Sequence, residues 1–151
     1  MAAWTPPDTA ASIPELMRLA RGSYKRAIDA EYPARRIDDV PHPGGYVIAY
    51  LAEGGDAVAD RMERLGIRKR QYNEVVDSLV LRGFVTRRID PGSGAASFAL
   101  TERGEQAAQA IIVASKQVDE ELERRLSVDG VAALRRGLLA LAEIKQSRPR
   151  P

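Results

Sequence analysis

Residues 60–104 read DRMERLGIRKRQYNEVVDSLVLRGFVTRRIDPGSGAASFALTERG, and a change of period inside this stretch decides the fold. Its first half has helical spacing. A short helix over about 56–65, with Asp56 as its cap, turns Val58, Met62 and Leu65 inward, and Gly66 ends it. After one turn a second helix covers about 68–82. Tyr72, Val75, Val76 and Leu79 form its buried face, and Gly83 stops it. The period then falls to two. Residues 84–89 are rich in β-formers, Asp90-Pro91-Gly92-Ser93-Gly94 is turn chemistry, and residues 97–100 return as a strand. Helix, turn, helix, hairpin is the order of a winged helix-turn-helix, with its wing at about 84–100.

The flanks are helical. Ser12, Pro14 and Glu15 are a helix start, and Ile13, Leu16, Met17, Ala20, Tyr24, Ala27 and Ile28 follow on one stripe. This predicts one helix over 12–32, stopped by Pro33. Residues 1–11 read as a loose end and 33–45, with three prolines and two glycines, as a loop. Tyr46 opens a short apolar helix that ends before Gly54-Gly55. After the wing, Thr101 caps a long helix with Glu102 in its first turn. Ser127 caps a last helix carrying Val131, Leu134, Leu138 and Leu141 at coiled-coil-like spacing. The expected architecture is a single domain over 1–151, mainly α with a small β-hairpin wing. Its winged helix-turn-helix spans 46–100, between dimerisation helices at 12–32 and 101–146.

Composition narrows the function classes. The chain has 151 residues, 44% hydrophobic and 29% charged, which is globular composition with room for one core. No cysteine is present, so a disulfide framework, a thiolate metal site and a Cys nucleophile are all excluded. The lone His42, set between Pro41 and Pro43, reads as an exposed loop residue, and no metal site is expected. No apolar run approaches the length of a membrane span. The N-terminus shows neither a basic leader nor an apolar core of a signal peptide, so the expected location is the cytoplasm, away from membranes. Asp119, Glu120, Glu121 and Glu123 form a charged helix face rather than an acid/base pair. With no nucleophile–base arrangement, phosphate loop or dinucleotide fingerprint, the expectation is a non-enzyme without cofactors.

Charge is distributed unevenly. Residues 1–60 carry 6 basic and 9 acidic side chains, residues 61–90 carry 8 and 4, and residues 91–151 carry 9 and 8. The basic excess therefore sits on the helix–turn–helix and the first wing strand, which is the footprint of a polyanion binder. Arg68, Lys69, Arg70, Gln71 and Asn73 crowd the N-terminal half of the second helix, opposite its apolar face. A helix fits the DNA major groove, its N-terminus favours phosphate, and these side chains match guanine and adenine edges. Arg87 and Arg88 alternate faces on the strand, so one is expected on a phosphate and the other on an acid. Ser93 at the wing tip offers a phosphate one hydrogen bond. Arg61 and Arg64 read as surface or salt-bridging residues.

In its order and spacing this stretch resembles the MarR family of bacterial transcription regulators. The likeness runs from the first helix to the last and is most specific over 60–104. Leu65-Gly66-Ile67 falls at the family's tight turn, residues 82–88 at its first wing strand, and Phe98-Ala99-Leu100-Thr101-Glu102-Arg103-Gly104 at its exit into the long dimer helix. The resemblance implies a homodimer with a winged helix in each subunit. It implies binding to pseudo-palindromic double-stranded DNA, commonly as a repressor released by a small-molecule effector. Tyr24, Tyr46 and Tyr50 are candidates for lining an effector pocket, against a reading as ordinary core tyrosines.

The sequence departs from the family at three places. Arg68 stands where the family opens its recognition helix with Ser or Thr. Arg61 stands where it buries a Leu. The wing tip, Pro91-Gly92-Ser93-Gly94-Ala95-Ala96, lacks the Arg that the family places in the minor groove. The bare tip leaves an alternative from another class, a winged-helix dimer that serves as a protein-interaction module.

Overall fold

The computed structural model describes residues 10–55 and 57–147. Residues 1–9 of the loose end expected over 1–11, and the cap expected of Asp56, lie outside the described residues. In chain order the elements are α1 (Ile13–Ala20), α2 (Ser23–Glu31), a 3-10 turn (Pro33–Arg35), α3 (Gly44–Ala52), α4 (Val58–Arg64), α5 (Lys69–Leu81), β1 (Val85–Ile89), β2 (Ala96–Leu100) and α6 (Glu102–Ser147). Mainly α with one antiparallel hairpin, this is the expected fold class.

The expected first helix is two. Ser12 caps α1 as anticipated, its hydroxyl accepting from the Glu15 N–H at 3.4 Å. Gly22 then takes a left-handed conformation, φ +89°, and the helix stops. That backbone is open to glycine and strained for other residues. The Ser23 hydroxyl donates to the last-turn carbonyl of Ala20 at 2.8 Å. The apolar stripe resumes on α2, where Ala27 and Ile28 are half-buried.

The chain forms two compact units, one ending at Ala114 and the other starting at Ser115. In the first, Val47 and Ile48 of α3, Met62 of α4, Val75, Val76 and Leu79 of α5, and Phe84 and Val85 build a dry core, with Ala107 and Ala108 of α6 closing it. Three of the four expected core residues of α5 are buried, and Tyr72 is half-buried at the margin, where loss of hydration raises its phenol pKa. Leu65 is a correction. It lies in the turn after α4 and is 44% exposed, while Ile67 packs on the core instead. Ile37, in the segment read only as a loop, is 5% exposed and belongs to that core.

That loop is tied down on both sides. Asp38 takes Arg103 at the start of α6, and Asp39 takes Arg82 at the end of α5. The Arg103 guanidinium also lies 4.7 Å over the Phe84 ring.

The hairpin is anchored at its base by the residues that open α6. Thr101 Oγ1 donates to the Gly83 carbonyl at 2.5 Å and accepts from the Gly104 N–H at 3.0 Å, capping the helix as the sequence predicts. The Thr101 N–H donates to the Phe84 carbonyl at 3.0 Å. A Cβ added to Gly104 would come within 2.0 Å of that same carbonyl oxygen, so only glycine lets the first turn of α6 lie against the strand entry.

In the second unit Ser127 interrupts α6 with φ 65° and ψ 167°, and its hydroxyl accepts from the Gly130 N–H at 3.3 Å, as a cap should. Val131 is buried there, whereas Leu134, Leu138, Leu139 and Ile144 keep 40% to 62% of their surface exposed. On α1, Ile13, Leu16, Met17 and Leu19 are similarly uncovered.

Candidate nucleic-acid interface

The helix–turn–helix is closed by backbone bonds around Gly66. The Gly66 N–H donates to the Glu63 carbonyl at 2.8 Å and the Ile67 N–H to the Met62 carbonyl at 3.0 Å, a tight C-terminal cap on α4. Two residues later Arg68 is the N-cap of α5, extended at φ −68° and ψ 154°, with no side-chain bond to the helix. The first N–H groups of α5 therefore have no side-chain acceptor. Arg68, Lys69, Arg70 and Gln71 surround them and are all exposed. Free N–H groups and the positive end of the helix dipole favour an anion here, and Arg68 and Lys69 add positive charge beside them. No ion pair joins Arg68 or Lys69 to any described residue.

Beyond this point the exposed face of α5 holds more than the basic cluster. Arg70, Glu74 and Asp77 recur at helical spacing and make one outward stripe, with Asn73 beside it. Arg70 Nε donates to Glu74 Oε1 at 3.0 Å, with 92% of the Arg70 and 63% of the Glu74 side chain exposed. Asp77 is bound by the guanidinium of Arg87, which reaches across from β1 and lies 5.5 Å over the Phe98 ring. Sequence reasoning passed over both acids. The spacing of Glu74 from Arg70 carried a signal; the pairing of Asp77 with Arg87 is tertiary and carried none.

The two wing arginines face opposite ways. Register pairs Val85 with Leu100, Arg87 with Phe98 and Ile89 with Ala96 on one face, and Thr86 with Ala99 and Arg88 with Ser97 on the other. Arg87 is the one engaged by an acid, while Arg88 forms no ion pair with any described residue.

The tip is satisfied from within. The Asp90 carboxylate accepts from the Ser93 hydroxyl at 2.5 Å, from the Ser93 N–H at 3.0 Å and from the Gly92 N–H at 3.4 Å. These bonds, the hydroxyl's first, hold the Asp90 carboxyl below its ordinary range. Ser93 Oγ also accepts from the Ala95 N–H at 3.2 Å. The hydroxyl expected to meet a phosphate thus donates to a carboxylate.

Of the three tyrosines, Tyr46 and Tyr50 come together on α3, ring centroids 6.4 Å apart, and Tyr24 stands exposed on α2. The Arg61 guanidinium sits 3.6 Å over the Tyr50 ring and its Nη1 donates to Glu53 at 2.6 Å. An arginine at this position thus bridges α4 to α3 instead of entering the core. A groove of about 600 Å³ opens between the end of α3, β2 and the start of α6, lined among others by Leu51, Gly55, Phe98, Leu100, Glu105 and Gln109. None of the three tyrosines lines it. Among the described residues no group of three or more His, Asp or Glu could hold a metal ion, and no helix is long and apolar enough to cross a membrane.

Solved structures share this fold over most of the chain. The S. aureus MepR–DNA complex superposes with a TM-score of 0.69 at 17% identity, covering 87% of this chain and 95% of that one. The chain has the fold of the MarR regulators. The MarR family transcription regulator SP03579 matches with a TM-score of 0.68 at 18% identity, over 90% of this chain and 89% of the other. PcaV from Streptomyces coelicolor, solved with its natural ligand, matches at 0.64 and 18%, over 93% and 98%. At such identities the likeness is one of fold. No protein-family model matches the chain, and no curated protein does.

Proposed function

We propose that the chain is a sequence-specific DNA-binding transcription regulator that works as a homodimer, with α5 as its recognition helix. The observation that carries this reading is the start of α5. Uncapped N–H groups, Arg68, Lys69, Arg70, Gln71 and Asn73 project from the second helix of a helix–turn–helix, beside a hairpin whose first strand carries Arg88. In the MarR fold such a helix enters the major groove, with its first turns at the base edges. That MepR, which shares the fold, was solved with DNA supports the same reading. The uncovered leucines of the last helix and the apolar face of α1 are what a second copy would bury. A dimer sets two recognition helices on a pseudo-palindrome. Repression, with release by a small ligand, is the mode we assign by analogy with the family.

A gel-shift with the DNA upstream of its own gene, at two salt concentrations, tests the reading. A discrete complex that outlasts competition by random DNA, and weakens steeply with salt, is expected. Equal affinity for any duplex would leave only a non-specific binder. The closed, acidic wing tip favours a second reading, a protein-interaction module built on the same fold, and absence of any complex with DNA would select it.

A further inference from the structure

We propose that Glu74 is a base-reading residue, acting with Arg70 as a composite reader in which Arg70 takes a guanine and Glu74 takes a cytosine of the neighbouring base pair. This rests on α5 being the recognition helix. Arg70 and Glu74 lie one turn apart on the exposed stripe, both heads in solvent, joined by the 3.0 Å bond from Nε to Oε1. With Nε held, the guanidinium keeps its two Nη groups pointing outward. That end-on fork matches the O6 and N7 acceptors of guanine. Glu74 has a second carboxylate oxygen left, and a carboxylate only accepts. In the major groove it is repelled by the guanine edge and by thymine O4. Adenine offers one donor, but its N7 acceptor lies alongside. Cytosine N4 offers a donor with no such neighbour. A bonded Arg–Glu head therefore fits the two acceptors of a guanine and the N4 donor of a cytosine at the next base pair. The bond also cancels the charge that an acid on this face would otherwise set against phosphate.

Selection of bound sites from a randomised duplex pool, for wild type, Glu74→Gln and Glu74→Ala, tests the proposal. Wild type should select a G with a C at the neighbouring base pair in each half-site. Glutamine pairs both N6 and N7 of adenine, so Glu74→Gln should move the preference at the cytosine position toward A, by about tenfold in relative affinity. Glu74→Ala should lose the cytosine preference and gain none. A specific wild-type site that Glu74→Gln leaves unchanged would overturn the proposal. So would relaxation at the guanine alone, since Glu74 would then only orient Arg70. Both of those results keep the DNA-binding reading intact. A wild type that selects no sequence at all would remove that reading and this proposal together.

Discussion

The first turns of α5 and the tip of the wing are the two places where a winged helix meets DNA, and here they are built in opposite ways. At α5 the cap is missing, the N–H groups are open, and cations stand around them. At the tip every donor of Gly92, Ser93 and Ala95 turns inward, to Asp90 or to Ser93 Oγ. One region spends no side chain on its own backbone and presents positive charge outward. The other is a self-satisfied turn around a carboxylate. Recognition should therefore be concentrated on the helix, with the wing contributing through Arg88 of β1.

The wing rests on one anchor, and breaking it should have the largest effect. Gly104→Ala drives a methyl into the Phe84 carbonyl, which is backbone and has little room to yield. A loss of about 3 kcal/mol in stability is expected by urea unfolding. A change within experimental scatter would show that α6 shifts without cost, and that the base of the wing is not rigidly held.

Arg70→Ala should come next. It removes a guanine contact and leaves Glu74 as an unneutralised acid on the same face. Operator affinity should drop by about 2 kcal/mol per half-site, with a smaller loss on random duplex. Adding Glu74→Ala to it should recover part of the loss. Fluorescence anisotropy titrations with both duplexes measure this, and equal losses on the two would confine Arg70 to phosphate.

The strand arginines offer a finer contrast. Arg88→Ala should flatten the log–log salt dependence of binding by about one unit per site, the mark of a lost phosphate contact. Arg87→Ala frees Asp77, so it should weaken binding more than Arg88→Ala at low salt. The reverse order would place Asp77 too far from the duplex for its charge to matter.

The wing tip should respond least. Ala95→Arg adds the missing cation, at a position free of the left-handed backbone of Gly94, φ +70°. Binding should tighten by on the order of 1 kcal/mol, most strongly with A·T flanks whose narrow groove attracts arginine. No change with either flank would place the tip away from the groove.

The helix–turn–helix, the hairpin and the Thr101 and Ser127 caps were legible because each is local. Their signals are periodicity, turn chemistry and short-range hydrogen bonding, all written within a few residues. The break at Gly22 was not, since one glycine in a helical stripe costs only about 1 kcal/mol and the stripe continues past it. Ile37 escaped for the same kind of reason. Nothing around it has a period, and it is buried in a core built from residues far along the chain, on a loop that Arg82 and Arg103 hold through Asp39 and Asp38. At the interface, sequence marked the cations of α5 and missed what they bind. The state of Ser93 depends on Asp90 three residues earlier, and that of Arg87 on an acid of another element.

The contrast between helix and wing is tested most directly by amide hydrogen exchange of the full chain with and without a duplex carrying its selected site. The account predicts slowed exchange over residues 68–73 and at Arg88, with residues 92–95 unchanged. Protection of the wing tip with α5 left as it was would contradict it.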